Sequence, residues 1–475
     1  MSAVLSDYLR VPRHDVEAHH IAAFTYDLTD PYTKEAFRIE TFHEELDHYC
    51  FPRGDLAKLN RIFGSDNIRD ERSSAPLPMR LRFTATLRDE QKRLVREWMQ
   101  AGYGTIQAPP RSGKTLLATA AICRLKQRAM MLAHREDLCH QLEETIRKFT
   151  NVNELEEECG HKLVGVLQDW DDFFPLVTLS TYQCFVMSRS GRAVLNQHRN
   201  AFGLVIVDEV HMVSRELFSE VVSGTTAAYR LGLTATPTRK DGRHVVANDM
   251  IGPVVTIGGG EQLPVQYSWE YTGCDVPDFS SWNVMWNRLV KRRRRTKTIA
   301  RKVVEDVQDG HFCLVTTDRL QHLDDLQFAI QSIDPDITVG LLSSKTKDRD
   351  GFRLAAKRGE YQVVVAMNKI VELGYNIPRW SCFHNTLPMA NQQNWYQRIS
   401  RIRTPMEPAF KGDDWIKPTP VARVWIDNGH PAIYAYKALV KRENARLGFQ
   451  CLNETTERRK GRGKGFGLQP EEESS

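Results

Sequence analysis

The sequence predicts an α/β protein of two successive parallel-sheet units behind a small N-terminal module, and three observations carry that reading. From about residue 81, short aliphatic runs (GTIQA, AMMLAH, LVTLS, GLVIVD, RLGLTA) alternate with amphipathic stretches that become helical near 114 and 136. Such alternation covers both faces of a parallel sheet with helices. The pattern restarts after about residue 297 with HFCLVT, ITVGLL, YQVVVAM and VARVWI. Finally, 475 residues exceed what one hydrophobic core organises, so the chain divides.

Taken in order, residues 1–80 carry more acid than base and include turn-forming pieces such as Phe51-Pro52-Arg53-Gly54-Asp55. They read as an accessory module ending in a Ser/Pro-rich linker near 73–78. Residues 81–262 form the first α/β unit, 263–296 an irregular interdomain linker, and 297–455 the second unit. Residues 456–475 are rich in Gly and charge and lack apolar content, so they cannot offset the entropy of ordering and are expected to be disordered.

Composition excludes several classes. Hydrophobic residues make up 41% and charged residues 26%, as in ordinary globular proteins. No apolar run approaches the length of a membrane span, and the first residues (MSAVLSDYLRVPRHD) lack the apolar core of a secretory signal. A cytoplasmic protein with no membrane partner is expected. The nine cysteines are dispersed without a CxxC pair, which reads as small buried apolar residues rather than a zinc site. A net charge of +5 permits a nucleic-acid partner without requiring one.

The strongest local signal is Ala108-Pro109-Pro110-Arg111-Ser112-Gly113-Lys114-Thr115, set between a strand-like run and a helix. A tight loop there turns backbone N–H groups and a helix N-terminus toward phosphate oxygens. Lys114 adds a point charge at the β/γ-phosphates and Thr115 offers a hydroxyl to Mg²⁺. The motif departs from GxxxxGK[ST] at Ala108. Further on, Leu204-Val205-Ile206-Val207 delivers Asp208 and Glu209 at a strand's carboxyl end, where ligands bind in α/β sheets. Asp208 would hold Mg²⁺, and Glu209 would orient and deprotonate a water. A solvated turn is the ordinary fate of an Asp-Glu pair, but the aliphatic strand before this one argues against it.

With these residues the chain resembles superfamily 2 helicases over most of 85–405. The resemblance implies two tandem RecA-like domains, ATP as substrate and a nucleic-acid partner. Leu87-Arg88-Asp89-Glu90-Gln91 is similar to the adenine-recognition element, implying that Arg88 and Gln91 face the nucleotide together with Pro110, Arg111, Ser112 and Gly113. Asp208-Glu209-Val210-His211 is the DExH form of motif II, and Leu231 to Pro237 is similar to motif III. His211, Thr234 and Thr236 would then couple nucleotide state to domain closure. Ala133-His134-Arg135 and Ser180-Thr181-Tyr182-Gln183 are similar to motifs Ia and Ib, so Arg135 and Thr181 would touch the nucleic-acid backbone. Val363 to Pro378 is similar to motif V, placing Met367 toward nucleic acid and Asn376 toward the nucleotide. Gln397-Arg398-Ile399-Ser400-Arg401-Ile402-Arg403 is similar to motif VI. There Arg401 would be an arginine finger reaching the γ-phosphate on closure, with Gln397 beside it.

The resemblance departs at Arg111 for the usual Gly, Met367 for Thr, Asn376 for Asp, Ser400 for Gly, and Thr404 for a second motif VI arginine. Within the superfamily the chain looks most like phage UvsW, bacterial RadD and XPB-type proteins. That implies a bacterial or phage-infected cell and a forked or junction DNA substrate, with single-stranded DNA a further partner. RNA is disfavoured, because the DEAD tetrapeptide and a PTRELA-type motif Ia are absent. A duplex translocase of a restriction or defence complex is the alternative. Lys291 to Arg295 reads equally as a phosphate grip or a solvated helix start. Trp282, Trp286, Trp395 and Tyr396 read as base-stacking residues or as core.

Overall fold

Aliphatic runs buried on both faces specify parallel strands, and every strand pair in the two large sheets is parallel. The computed structural model describes residues 3–30, 33–78, 80–109, 112–167, 175–186, 189–212, 218–239, 241–259, 262–276, 279, 281–372, 377–389, 392–406 and 415–453. Two compact units divide the chain between residues 260 and 261. The tail read as disordered lies outside the described residues.

The first unit begins with seven short strands: β1 (Ala3–Leu5), β2 (Leu9–Pro12), β3 (Thr25–Thr29), β4 (Ala36–Glu40), β5 (His43–Glu44), β6 (His48–Phe51) and β7 (Ile68–Asp70). Five pair in the order β5-β6-β2-β1-β7, and β3-β4 form a separate hairpin. Leu9, Val11, Phe24, Phe51, Leu59 and Phe63 fill a small core. This module shares its interior with the α/β sheet behind it. The buried Arg53 guanidinium donates to Ala227 O at 2.7 Å and Asp7 O at 3.2 Å. Arg230, also buried, donates to Met250 O at 2.8 Å and Asp7 O at 3.2 Å. Gly54 lies so close that a Cβ would stand 2.4 Å from Ile251 N, so only glycine lets the two backbones meet.

The α/β part carries β8 (Thr105–Gln107), β9 (Ala129–Ala133), β10 (Val164–Val166), β11 (Val177–Thr181), β12 (Leu204–Asp208), β13 (Tyr229–Thr234) and β14 (Val254–Ile257). Their order is β10-β11-β9-β12-β13-β8-β14. Strand β9 is buried along its whole length and β12 and β13 at all but one residue each, and Leu117, Ala121, Leu142 and Ile146 pack on them from helices Lys114–Leu125 and Glu136–Phe149. Strands β12, β13 and β8 are neighbours, so the loops leaving their carboxyl ends converge on one edge of the sheet.

The second unit repeats the plan with β15 (Gln266–Asp275), β16 (Phe312–Thr317), β17 (Val339–Leu342), β18 (Val363–Met367), β19 (Trp380–Asn385), β20 (Val421–Asn428) and β21 (Gln450–Cys451). The order is β17-β18-β16-β19-β20-β15-β21. Here the structure differs from the sequence reading of 263–296 as an irregular linker. Residues 266–275 are strand β15, paired along its length with β20, and Trp282–Val290 is a helix. The segment's mixed pattern of Tyr, Trp, Glu and Gly hides a strand whose register is set by a partner far along the chain.

Arg295 corrects the phosphate-grip reading of the basic run. It is fully buried and paired with Asp427 at 2.8 Å, whereas Lys291, Arg293 and Arg294 remain exposed. Trp395 is core: it is fully buried and donates from Nε1 to Asn444 Oδ1 at 2.8 Å. Trp282 and Trp286 pack partly buried against the same core. Among the described residues no helix is long and apolar enough to cross a membrane.

Candidate functional site

Strand β8 ends at Gln107, and helix Lys114–Leu125 begins after Gly113, whose φ of +84° places it in the left-handed region. Glycine serves there because it has no Cβ, and a Cβ at Gly113 would also stand 2.7 Å from Gln91 Nε2. The loop is tied to the preceding helix by Gln91. Its Nε2 donates to Ser112 O at 2.8 Å and its Oε1 accepts the Arg88 N–H at 3.0 Å. The Gln91 amide is therefore already engaged at both ends and buried, while the exposed Arg88 reaches Ser112 O at 3.4 Å. Pro110 and Arg111 lie outside the described residues.

Two sheet positions away, β12 delivers the carboxylates. Lys114 Nζ lies 3.3 Å from Glu209 Oε1. The Glu209 N–H donates to Asp208 Oδ1 at 3.0 Å, and Tyr182 Oη donates to the Asp208 carbonyl at 2.8 Å. Glu209 adopts a φ of +47°. For a residue with a Cβ this costs about 1–3 kcal/mol and persists only where surroundings hold it. One support is His211, whose Nδ1 meets Thr234 Oγ1 at 2.8 Å and stands 3.3 Å from Glu209 Oε2. Thr234 Oγ1 also accepts the Thr236 N–H at 3.1 Å. Thr115 follows Lys114 in the first helical turn, partly buried.

The electrostatics push the two acids apart. Burial raises the Asp208 carboxyl above its ordinary value, and the adjacent Glu209 charge adds to the rise. Burial also acts on Glu209, but the Lys114 ammonium and His211 outweigh it and hold Glu209 below its ordinary value. Glu209 is thus the ionised member, a charge pattern suited to accepting a proton from water. A stability prediction follows for the ligand-free protein. Asp208 keeps its proton in the fold above the pH at which the unfolded chain releases it. Its contribution therefore falls as pH rises above the ordinary carboxylate range and levels once the folded carboxyl has also ionised. Asp208→Asn removes that slope: its urea midpoint, relative to wild type, should rise across this window. A difference between the two proteins that stays constant with pH would contradict the assignment.

These groups fit a magnesium–triphosphate. Lys114, the first residue of its helix, lies against Glu209, and among the described residues the buried Ser112 Oγ has no hydrogen-bond partner. Such a hydroxyl is costly unless a ligand engages it.

Other motif residues stand elsewhere. Arg135 is exposed at the start of helix Glu136–Phe149 and pairs with Asp137 at 2.9 Å. Thr181 closes β11, its Oγ1 3.2 Å from Cys184 Sγ. In the second unit, Met367 ends β18 and packs partly buried against the core. Gln397 lies on helix Gln392–Ile399, half-buried, and Arg401 follows it, buried. Arg398 donates to Asn385 Oδ1 at 3.2 Å. Arg403 donates from Nε to Leu263 O at 3.2 Å and lies over the Phe449 ring, so it braces its own unit. Asn376 is outside the described residues.

Two features escaped the sequence reading. One is Arg239, which donates to the His211 carbonyl at 2.7 Å; the Arg-x-Asp spacing directly after motif III was its available signal. The other is a buried cluster in the second unit. Ligand atoms of Cys313, Cys382 and His384 lie within 4.8 Å of one another, joined through strand pairing that cysteine spacing does not reveal. Asp306 meets His384 Nε2 at 3.1 Å and is clamped by Arg423.

The chain matches the family "Type III restriction enzyme, res subunit" over residues 79–239. It is 30% identical over 198 residues to the DNA 3'-5' translocase XPB2 of Sulfurisphaera tokodaii, covering 42% of this chain and 41% of that one. It is 25% identical over 342 residues to the DNA 3'-5' helicase XPB of Kineococcus radiotolerans, covering 69% and 58%. The chain therefore spans roughly half the length of these curated relatives. In structure it resembles the ATP-dependent Type ISP restriction-modification enzyme LlaBIII bound to DNA, with a TM-score of 0.54 at 13% identity, over 79% of this chain and 32% of that one. At that identity the likeness concerns the fold.

Proposed function

We propose that the chain, which matches the type III restriction res-subunit family over residues 79–239 and resembles XPB proteins in sequence, is a superfamily 2 helicase that hydrolyses ATP to move along or unwind DNA. The observation that carries this reading is the Lys114–Glu209 pairing beside a helix N-terminus, at the carboxyl edge of a parallel sheet. In this reading Lys114, Ser112 and the first helical N–H groups bind the phosphates. Thr115 and Asp208 would hold Mg²⁺, which when bound neutralises phosphate charge. Glu209 orients the attacking water and takes its proton. Arg401 is the proposed arginine finger, with Gln397 beside it, and His211, Thr234 and Thr236 couple nucleotide state to movement. Arg135, Thr181 and Met367 are proposed toward the DNA backbone, and forked or junction DNA as the preferred substrate.

The test is ATP hydrolysis over single-stranded, duplex, forked and four-way-junction DNA, with RNA as control. DNA should stimulate hydrolysis more than RNA does; stimulation by RNA alone would overturn the reading. Arg401→Ala should retain nucleotide binding and lose hydrolysis on the order of 10³-fold, as for arginine fingers generally. Normal turnover by that variant would remove Arg401 from the mechanism. The match to the type III restriction family favours a second reading, duplex translocation without unwinding. Displacement of a third strand from duplex, with no opening of a fork, would select it.

A further inference from the structure

We infer that Arg239 is a positioning residue for motif II, and that the N-terminal β3-β4 hairpin holds it in place. The inference rests on the ATPase reading above and adds to it a role for the first 80 residues. Its basis is one chain of contacts within the first unit. Arg239 donates to the His211 carbonyl at 2.7 Å. Its direction is set by Asp241, which accepts from Nε at 3.0 Å and from the terminal nitrogen at 2.8 Å. A two-point clamp of this kind fixes the guanidinium plane.

The carbonyl it grips lies two residues after Glu209, in the turn that follows the left-handed φ of that residue. A strained carboxylate keeps its position only if the backbone on both sides is held. Upstream, β12 and Tyr182 hold it. Downstream, Arg239 on the His211 carbonyl and Thr234 on its ring do so.

The loop bearing Arg239 is in turn covered by the accessory module. Gly242 has a φ of +73°, and a Cβ there would stand 2.9 Å from Leu28 of the hairpin connection side of β3. The Arg243 guanidinium lies over the Phe37 ring of β4 at 5.1 Å. The following helix, His244–Met250, is anchored through Asp249, which is buried. Asp249 accepts from Tyr26 Oη at 2.8 Å, Thr41 Oγ1 at 2.6 Å and Lys58 Nζ at 2.8 Å. All three donors belong to residues 1–80. Gly242 and Arg243 are thus held against β3-β4, while Arg239, clamped by Asp241, ends on the motif II carbonyl. Through these contacts the hairpin supports the backbone beside Glu209.

The experiment compares Arg239→Ala, Arg239→Lys, and the hairpin variant Leu28→Ala/Phe37→Ala with wild type, all as full chains. It measures DNA-stimulated kcat and KM for ATP and binding of a fluorescent ATP analogue. Arg239→Ala should lower kcat about tenfold to a hundredfold, the range for displacement of a catalytic group by about an ångström. KM and analogue binding should stay within about twofold, and added guanidinium ion should restore part of the rate. Arg239→Lys should lie between. The hairpin variant should lower kcat in the same direction, and combined with Arg239→Ala it should add little further loss, as expected for groups acting through one contact. Unchanged kcat in Arg239→Ala would overturn the inference, as would parallel loss of kcat and binding without guanidinium rescue. Full additivity would overturn the hairpin's part. A wild-type chain that hydrolyses no ATP defeats the functional reading itself, whereas an active wild type with an equally active Arg239→Ala defeats only the inference.

Discussion

Glu209→Gln should still bind ATP while hydrolysing it on the order of 10³-fold more slowly, the range for loss of a general base. The substitution is close to isosteric, so the carboxylate's place in the turn survives while its charge and basicity do not. Three features make the effect specific to chemistry. The Glu209 carboxyl is kept ionised by Lys114 and His211. The side chain is presented by a left-handed turn that other residues hold. Lys114, its neighbour at 3.3 Å, loses a competing anion and should grip phosphate at least as well. Removing the charge also withdraws the like-charge repulsion that helps raise Asp208, so metal binding should not weaken. Single-turnover hydrolysis alongside analogue binding separates the two steps. Hydrolysis within about tenfold of wild type would take the general-base role away from Glu209.

The second large effect concerns stability of the second unit. Arg295 and Asp427 are both fully buried, joined at 2.8 and 3.1 Å. Thr272 Oγ1 donates to Asp427 at 2.5 Å, and Arg295 also donates to the Thr386 carbonyl. A buried pair is satisfied only as a pair, so removing one partner strands the other charge away from water. Asp427→Leu should therefore cost about 3–5 kcal/mol, whereas Arg295→Met/Asp427→Leu should recover most of that loss. Urea unfolding followed by tryptophan fluorescence reads both. A single variant within about 1 kcal/mol of wild type, or a double variant no better than the single, would mean that the pair is not desolvated as described.

The candidate site residues differ in how far the sequence exposes them. Lys114 opens the helix a short loop after a strand-like run, and Asp208 and Glu209 stand at the end of another, so a short stretch of chain carries both the fold signal and the chemistry. The central strands β9, β12, β13, β16 and β18 were legible for the same reason, since continuous burial writes itself as an aliphatic run. Strands β10 and β14 at the sheet margins are three and four residues long and were not among the runs read from the sequence. The strand β15 is long but mixed in character, and its pairing with β20 spans most of the second unit.

Side-chain roles were less legible than strands. The basic run at 291–295 reads as one charged patch, yet Arg295 turns into the core because Asp427, 132 residues later, faces it. Gln91 reads as an adenine-reading amide, and the fold engages that amide on Ser112 and Arg88. Residues 1–80 read as an appendage, but their Arg53, Lys58 and Tyr26 are bonded into the first α/β unit.

The sequence by itself determined the two parallel-sheet units and the order of the motif residues, including the phosphate loop and the carboxylate pair. Each is encoded within a few neighbouring residues, by hydrophobic period or by turn chemistry. Only the tertiary structure decided that Glu209 sits in a left-handed turn between Lys114 and His211, that Arg239 donates to the backbone beside it, and that an N-terminal hairpin packs on Gly242 and Arg243. Those contacts join segments far apart in the chain, and burial and charge at one end give no local sign of the partner waiting at the other.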